Sequence, residues 1–135
     1  MAKKILLIED ETYISDLYRR QLEKEGFEVT GVKDGQEALD LLQKNAYDLV
    51  LLDLMLPSIN GILILEKWSK NKSPNTKVIL LTNLALENVL REGLNKGADG
   101  YLIKASYTPQ QIVADIKAYV EGKPTQLIAT SLSTE

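Results

Sequence analysis

Hydrophobic positions divide the chain into short continuous runs and longer periodic segments. Continuous apolar runs of strand length, rich in Leu, Ile and Val, occupy residues 5–8, 49–52, 78–81 and 101–103. Runs of this kind are typical of strands that are buried on both faces of a sheet. A fifth segment, residues 27–31, alternates between apolar and polar positions and predicts an exposed edge strand. The pattern therefore predicts five strands.

Between these segments, apolar side chains recur every three or four residues, as they do along one face of an amphipathic helix. Five such segments occur, at residues 14–22, 38–42, 62–68, 86–94 and 112–120. Strands and helices alternate strictly and are joined by short links, which favours right-handed crossovers and a parallel sheet with helices on both faces. The predicted fold class is a doubly wound α/β domain with a five-stranded parallel sheet.

The last predicted helix has a clear beginning and end. Thr108 and Pro109 predict its cap and its first turn, and its periodicity ends before Gly122. After Gly122 the chain loses its period and becomes rich in Ser and Thr. We therefore predict one domain at residues 1–121, followed by a tail or linker stub at residues 122–135.

Composition narrows the possible chemistry. The 135 residues are 44% hydrophobic, enough for one core, and the absence of cysteine and histidine excludes disulfides, thiolate zinc sites and histidine-containing catalytic triads. A net charge of -3 without a long basic run disfavours binding to nucleic acid. Only four consecutive apolar residues follow Lys4, too few for a signal peptide or a membrane span. We expect a cytoplasmic protein without membrane or direct nucleic-acid contact.

Polar side chains follow four of the five predicted strands. They are Glu9, Asp10 and Glu11 after the first strand, Asp53 after the third, Thr82 after the fourth and Lys104 after the fifth. In an open α/β sheet, ligands bind beyond the carboxyl ends of the strands. Any one of these residues alone would be read as a solvated loop charge or a helix cap. Their convergence on one sheet edge predicts a single site.

The residue types at this edge favour phosphoryl chemistry. Carboxylates from two neighbouring strand ends repel one another, and a hard divalent cation such as Mg²⁺ relieves the repulsion. Magnesium keeps coordination positions open for the oxygens of an incoming phosphoryl group. Lys104 and Thr82 offer a point charge and a hydroxyl donor to those oxygens. We therefore expect Asp53 to accept a phosphoryl group.

These motifs resemble the receiver domain of response regulators in two-component signalling, of the chemotaxis-regulator type. The resemblance covers residues 1 to about 121, and five separated functional positions carry it together with two glycines. The matching positions are Glu9, Asp10, Glu11, Asp53, Pro57, Gly61, Thr82, Gly97, Ala98, Asp99, Tyr101 and Lys104. The resemblance implies a flavodoxin-like (βα)5 fold with strand order 2-1-3-4-5.

The resemblance also implies a role for each site residue. Asp53 would be the phosphoacceptor, and Thr82 and Lys104 would hold the phosphoryl group. The implied metal ligands are Asp10, Asp53 and the backbone carbonyl of Met55, with Glu9 acting through a water molecule. The donor would be a phosphohistidine on a sensor histidine kinase or phosphotransfer protein. Such a domain catalyses only its own phosphorylation and dephosphorylation, so we expect a signalling protein and no separate enzymatic substrate.

Two further residues are singled out by the resemblance. Tyr101 matches an aromatic position that turns inward when the threonine, here Thr82, shifts toward the phosphoryl group. The surface of the fourth helix, fifth strand and fifth helix would then change and control an output partner. Asn83 stands where the family usually has Ala, Gly or Ser; the larger amide would restrict access to Asp53, or its side chain would instead turn to solvent or cap the fourth helix.

Other functions fit the residues less well. A haloacid-dehalogenase-like phosphatase needs a second acid two residues after Asp53, where this chain has Met55. A flavodoxin-type carrier would need a hydroxyl-rich phosphate loop after the first strand, where Glu9, Asp10 and Glu11 would repel phosphate. A degenerate receiver, acting as an interaction module independent of phosphorylation, remains the alternative, although all five functional groups are present.

The chain departs from the family pattern at two further places. Ala105 follows Lys104 where the family commonly has proline. Family members with DNA-binding outputs carry charges on the last strand and flanking helices for symmetric dimers. The residues at the positions we align with some of those charges are Leu90, Gly100, Gln111 and Asp115. We therefore expect a stand-alone receiver, a monomer or weak dimer, that acts through protein contacts; a fragment of a larger regulator is the alternative.

Overall fold

The computed structural model describes residues 2–56, 59–83 and 86–132, and in this part of the chain five strands form one parallel sheet. The strands are β1 (Lys4–Ile8), β2 (Glu28–Val32), β3 (Leu49–Asp53), β4 (Lys77–Thr82) and β5 (Gly100–Ile103). Their order across the sheet is β2-β1-β3-β4-β5. The predicted doubly wound, flavodoxin-like fold is confirmed.

In the described residues, four α-helices connect the strands, a fifth follows β5, and together they cover both faces of the sheet. They are α1 (Thr12–Lys24), α2 (Gly35–Lys44), α3 (Gly61–Trp68), α4 (Glu87–Asn95) and α5 (Pro109–Val120). Helices α1 and α5 pack together on one face, and α2, α3 and α4 pack on the other. Within the ranges just given, no helix has both the length and the apolar character that crossing a bilayer requires.

The central strands are apolar at every position because both of their faces are buried. Along β1, the side chains of Leu6 and Ile8 enter the core beneath α2 and α3, whereas Ile5 and Leu7 enter the core beneath α1 and α5. The outer strand β2 buries fully only Val32. The prediction of an exposed edge strand is therefore confirmed, with a shift of one residue.

Local hydrogen bonds explain where α3 and α5 begin. The Asn60 side chain accepts from the backbone N–H of Leu63 at 2.9 Å and caps α3. Thr108 and Gln111 exchange side-chain and backbone hydrogen bonds at 3.2 and 2.8 Å, forming a capping box at α5. The loop after β3 contains Pro57, which lies outside the described residues. Gly61 allows this loop to pack tightly, since a Cβ there would lie 2.7 Å from the Asp53 carbonyl oxygen.

The chain after α5 returns to the sheet. We call residues 126–132 the C-terminal strap. Ala129 in the strap forms an antiparallel bridge with Tyr101 of β5, and the Ile128 side chain is buried. The domain boundary at residue 121 stays a prediction, and the structure adds that residues beyond it pack against the domain.

Candidate functional site

An acidic cluster lies where the carboxyl ends of β1 and β3 meet. The two strands are neighbours in parallel register, with Ile8 opposite Leu52, so the residues that follow them come close together. Glu9, Asp10 and Asp53 each place one carboxylate oxygen within 4.8 Å of those of the other two. The fold thus brings together the three acids that the sequence analysis expected to face a cation.

Lys104 reaches this cluster from β5. Its ammonium donates hydrogen bonds to Glu9 Oε1 and, at 3.0 Å, to Asp53 Oδ2. Strands β5 and β3 are separated by β4, so the backbones of the two strands lie about 10 Å apart, and the Lys104 and Asp53 side chains bridge this distance together. Glu9, Asp53 and Lys104 are between 1% and 9% exposed, so their charges interact with little screening by water.

The buried charges shift two pKa values. The pKa of Glu9 is raised to about 7, mainly because the carboxyl group is buried. The hydrogen bond from Lys104 lowers this pKa, and the nearby Asp53 carboxylate raises it further. Burial on its own would lower the pKa of Lys104, but its hydrogen bond to Glu9 and the charges of Asp53 and Glu9 raise it above its ordinary value. Lys104 is therefore held as an ammonium beside an acidic cluster whose negative charge it only partly balances.

Backbone donors hold the buried carboxylates in place. The N–H of Met55 donates to Asp53 Oδ1 at 2.9 Å, and the N–H of Glu11 donates to Glu9 Oε2 at 3.2 Å. Asp10, in contrast, is exposed. Hydrogen bonds from backbone N–H groups orient a carboxylate and stabilise its charged form. Asp53 is thus positioned from two sides, by Lys104 and by Met55.

The acids line an open cleft of about 460 Å³. Asn83 and Met55 are exposed and line the same cleft. Thr82, the last residue of β4, is buried and lines the adjoining groove between α3 and α4, which shares Met55 with the cleft. Tyr101 is half-buried on β5, where it lies opposite Leu80 in the strand register.

The sequence model of the response regulator receiver domain matches residues 5–117. The chain belongs to the response regulator receiver domain family. The predicted resemblance is confirmed, and the domain is a receiver of two-component signalling. Receiver domains bind Mg²⁺ at an acidic pocket, and Glu9, Asp10 and Asp53 form an acidic cluster in this domain.

Solved structures of receiver domains superpose closely on this receiver domain. The CheY-like response regulator receiver domain from Methanospirillum hungatei is 33% identical, with a TM-score of 0.82 over 90% of this chain and 96% of that one. The BeF3-activated receiver domain of DrrB, from Thermotoga maritima, is 30% identical, with a TM-score of 0.77 over 90% of this chain and 99% of that one.

Longer proteins also match the receiver domain. The transcriptional regulatory protein SrrA of Staphylococcus aureus is 39% identical over 131 residues, which cover 97% of this chain and 53% of SrrA. The receiver domain described here therefore spans about half the length of this curated relative.

Two features of the receiver domain escaped the sequence analysis. One is the bridging position of Lys104, which was expected to contact a phosphoryl oxygen and here also binds Glu9. The other is Asp115, which is buried and accepts three backbone hydrogen bonds from the strap. The signal for Asp115 was a carboxylate among the apolar positions Ile112 and Ile116 of α5, because a charge on such a face requires polar partners.

Proposed function

We propose that this receiver domain is a signalling switch that accepts a phosphoryl group on Asp53. The observation that carries the proposal is the placement of the Asp53 carboxylate. It lies at the wall of an open cleft, oriented by Lys104 and by the Met55 N–H, and beside two further acids. The donor in the receiver domain family is a phosphohistidine on a sensor kinase or phosphotransfer protein, and this sequence, which contains no histidine, would receive the group from such a partner.

The donor set at the cluster fits Mg²⁺. The ion prefers oxygen ligands and binds through one or two carboxylates while keeping several waters. Asp10, Asp53 and the Met55 carbonyl would hold it directly, and Glu9 would contribute through a water molecule. Asp10 is exposed, so an ion can reach the cluster from solvent. When bound, Mg²⁺ supplies charge neutralisation for the phosphoryl oxygens during transfer.

The chain's own residues account for the remaining steps. An Asp53 carboxylate oxygen forms the new bond to phosphorus, and the phosphorus–nitrogen bond of the donor histidine breaks. The Lys104 ammonium, already 3.0 Å from Asp53, would then compensate the charge of the phosphoryl oxygens. The Thr82 hydroxyl would move toward the same group and donate to one of its oxygens.

The movement of Thr82 would carry the signal to a partner. Tyr101 lies on the strand next to β4 and would follow Thr82 inward. The surface of α4, β5 and α5 would thereby change and control the output protein. Asn83, exposed at the mouth of the cleft, would set how readily phosphodonors and water reach Asp53.

Mass spectrometry after incubation with acetyl phosphate and Mg²⁺ tests the proposal. We expect the parent protein to gain one phosphoryl group and Asp53→Asn to gain none. Asp40→Asn, which removes an exposed carboxylate from α2, is the matched control and should be modified like the parent. Equal modification of Asp53→Asn would overturn the assignment. No gain in the parent would favour the degenerate receiver that acts without phosphate.

A further inference from the structure

The strap occupies the outer edge of β5. The Tyr101 N–H donates to the Ala129 carbonyl oxygen at 2.9 Å, and the Ala129 N–H donates to the Tyr101 carbonyl oxygen at 3.0 Å. This edge of a parallel sheet otherwise presents unpaired N–H and C=O groups to solvent. The strap therefore pairs with the backbone of the residue whose side chain the proposed switch would move.

Asp115 on α5 anchors the strap. Its carboxylate accepts hydrogen bonds from the N–H groups of Gln126, Leu127 and Ile128 at 2.8, 3.1 and 2.8 Å. Three charge-assisted hydrogen bonds from consecutive amides compensate the desolvation of a buried carboxylate. Because these bonds come from backbone N–H groups, Asp115 holds the strap whatever its exposed side chains are.

The surface beneath the strap is shaped to receive it. Ile128 is buried in the core cluster that contains Leu102 of β5 and Ile112 of α5, and Leu132 packs against the cluster on the other face of the sheet. A Cβ at Gly100 would lie 2.8 Å from the Ala129 carbonyl oxygen, so this position accommodates the strap as glycine. The strap thus contacts the apolar cores on both faces of the sheet, next to β5.

The strap is held by few groups. Ile128 is its one fully buried side chain, and Gln126, Thr130 and Ser131 are exposed. Segments with few buried apolar contacts open locally at much lower free energy than the core. Opening of the strap alone is therefore expected to cost less free energy than unfolding of the five-stranded domain.

We propose that the strap is a detachable element coupled to the phosphorylation site through β5, docked when Asp53 is free and released when Asp53 carries a phosphoryl group. The inference rests on the proposed function of Asp53. The bridge holds the strap beside Tyr101, and the side chains of Tyr101 and Leu132 pack against the same apolar cluster, so an inward turn of the Tyr101 side chain would change the surface on which the strap lies. A ligand shifts such an equilibrium only through its different affinity for the two states, and the changed packing around Tyr101 would supply that difference.

Thermodynamic linkage makes the proposal testable in both directions. If a phosphoryl group on Asp53 loosens the strap by some factor, loosening the strap must favour the phosphoryl-bound state by the same factor. Beryllofluoride with Mg²⁺ serves as the phosphoryl mimic. Amide hydrogen exchange of the full chain should accelerate about fivefold or more at residues 126–129 on adding it, in the range typical of allosteric coupling.

The reciprocal experiment uses variants of the strap. Ile128→Ser should release the strap and tighten beryllofluoride binding by the factor seen in the exchange experiment. Asp115→Asn, which weakens the anchor, should act in the same direction. Gln126→Ala is the matched control, because its side chain is exposed while its backbone N–H is kept, and it should match the parent in both measurements.

The outcomes separate this inference from the proposed function. Absence of beryllofluoride binding and of phosphoryl transfer in the parent would overturn both. Normal phosphorylation with unchanged or slower exchange at residues 126–129 would overturn the strap proposal alone. The exchange measurement on the parent does not depend on whether any variant folds.

Discussion

The Lys104 ammonium lies 3.0 Å from the Asp53 carboxylate and reaches it across the intervening strand β4. The same ammonium also binds Glu9. The cation expected to balance the charge of a transferred phosphoryl group is therefore in place before transfer. Until then it compensates two buried carboxylates, so Lys104 contributes to the stability of the fold as well as to the proposed chemistry.

Removing the Lys104 ammonium should destabilise the metal-free protein. In Lys104→Met the buried carboxylates of Glu9 and Asp53 lose their partner, and breaking a buried ion pair from one side costs about 3 to 5 kcal/mol. Urea denaturation with EDTA measures the change, and added Mg²⁺ should restore part of it. Lys96→Met, which breaks an exposed pair with Glu66, should cost about 1 kcal/mol or less. Equal effects of the two substitutions would contradict the prediction.

Asp10→Asn should abolish most of the affinity for Mg²⁺. The substitution removes one of two direct carboxylate ligands, and we expect the affinity to fall about tenfold or more. Without metal, the free energy of unfolding should stay the same or rise slightly, because the substitution relieves repulsion among Asp10, Glu9 and Asp53. Isothermal titration calorimetry measures the affinity, and Glu11→Gln is the neighbouring control. An affinity for Mg²⁺ like that of the parent would show that Asp10 is not a ligand.

Thr82→Val should separate phosphorylation from its structural response. The variant keeps the volume of the buried side chain and removes the hydroxyl that would donate to the phosphoryl group. In the parent, NMR with beryllofluoride should show shift changes concentrated between residues 82 and 104. In Thr82→Val the changes near Tyr101 should shrink while those around Asp53 persist. Changes confined to the acidic loops of the parent would argue against coupling to β5.

Asn83→Ala should speed both phosphorylation by acetyl phosphate and loss of the phosphoryl group. The exposed amide at the mouth of the cleft would restrict approach to Asp53, and each 1.4 kcal/mol removed from the barrier is about tenfold in rate. We expect an increase of several-fold in both rates and an unchanged affinity for Mg²⁺. Rates equal to those of the parent would indicate that the Asn83 side chain is directed to solvent.

Local patterns along the chain were sufficient to predict the layers of the fold. The apolar runs at residues 5–8 and 49–52 predicted central strands, since a strand covered on both faces is apolar at every position. The alternation at residues 27–31 predicted the edge. Polar residues directly after the strands predicted the site because parallel strands end at one edge of a sheet. Each of these inferences depends on neighbouring residues only.

Long-range contacts required the tertiary structure. Glu9 and Lys104 are 95 residues apart, and their pairing depends on the strand order and on the burial of both side chains. No pattern in the sequence indicates the strap, because its bridge to β5 and its hydrogen bonds to Asp115 use backbone groups that almost any residue supplies. Residues 122–135 lack periodicity, yet Ile128 is buried. Local sequence patterns were thus enough to predict the sheet and the edge at which the site lies. The pairing of the buried charges and the docking of the strap depend on distances between segments that are remote in sequence, so only the folded structure reveals them.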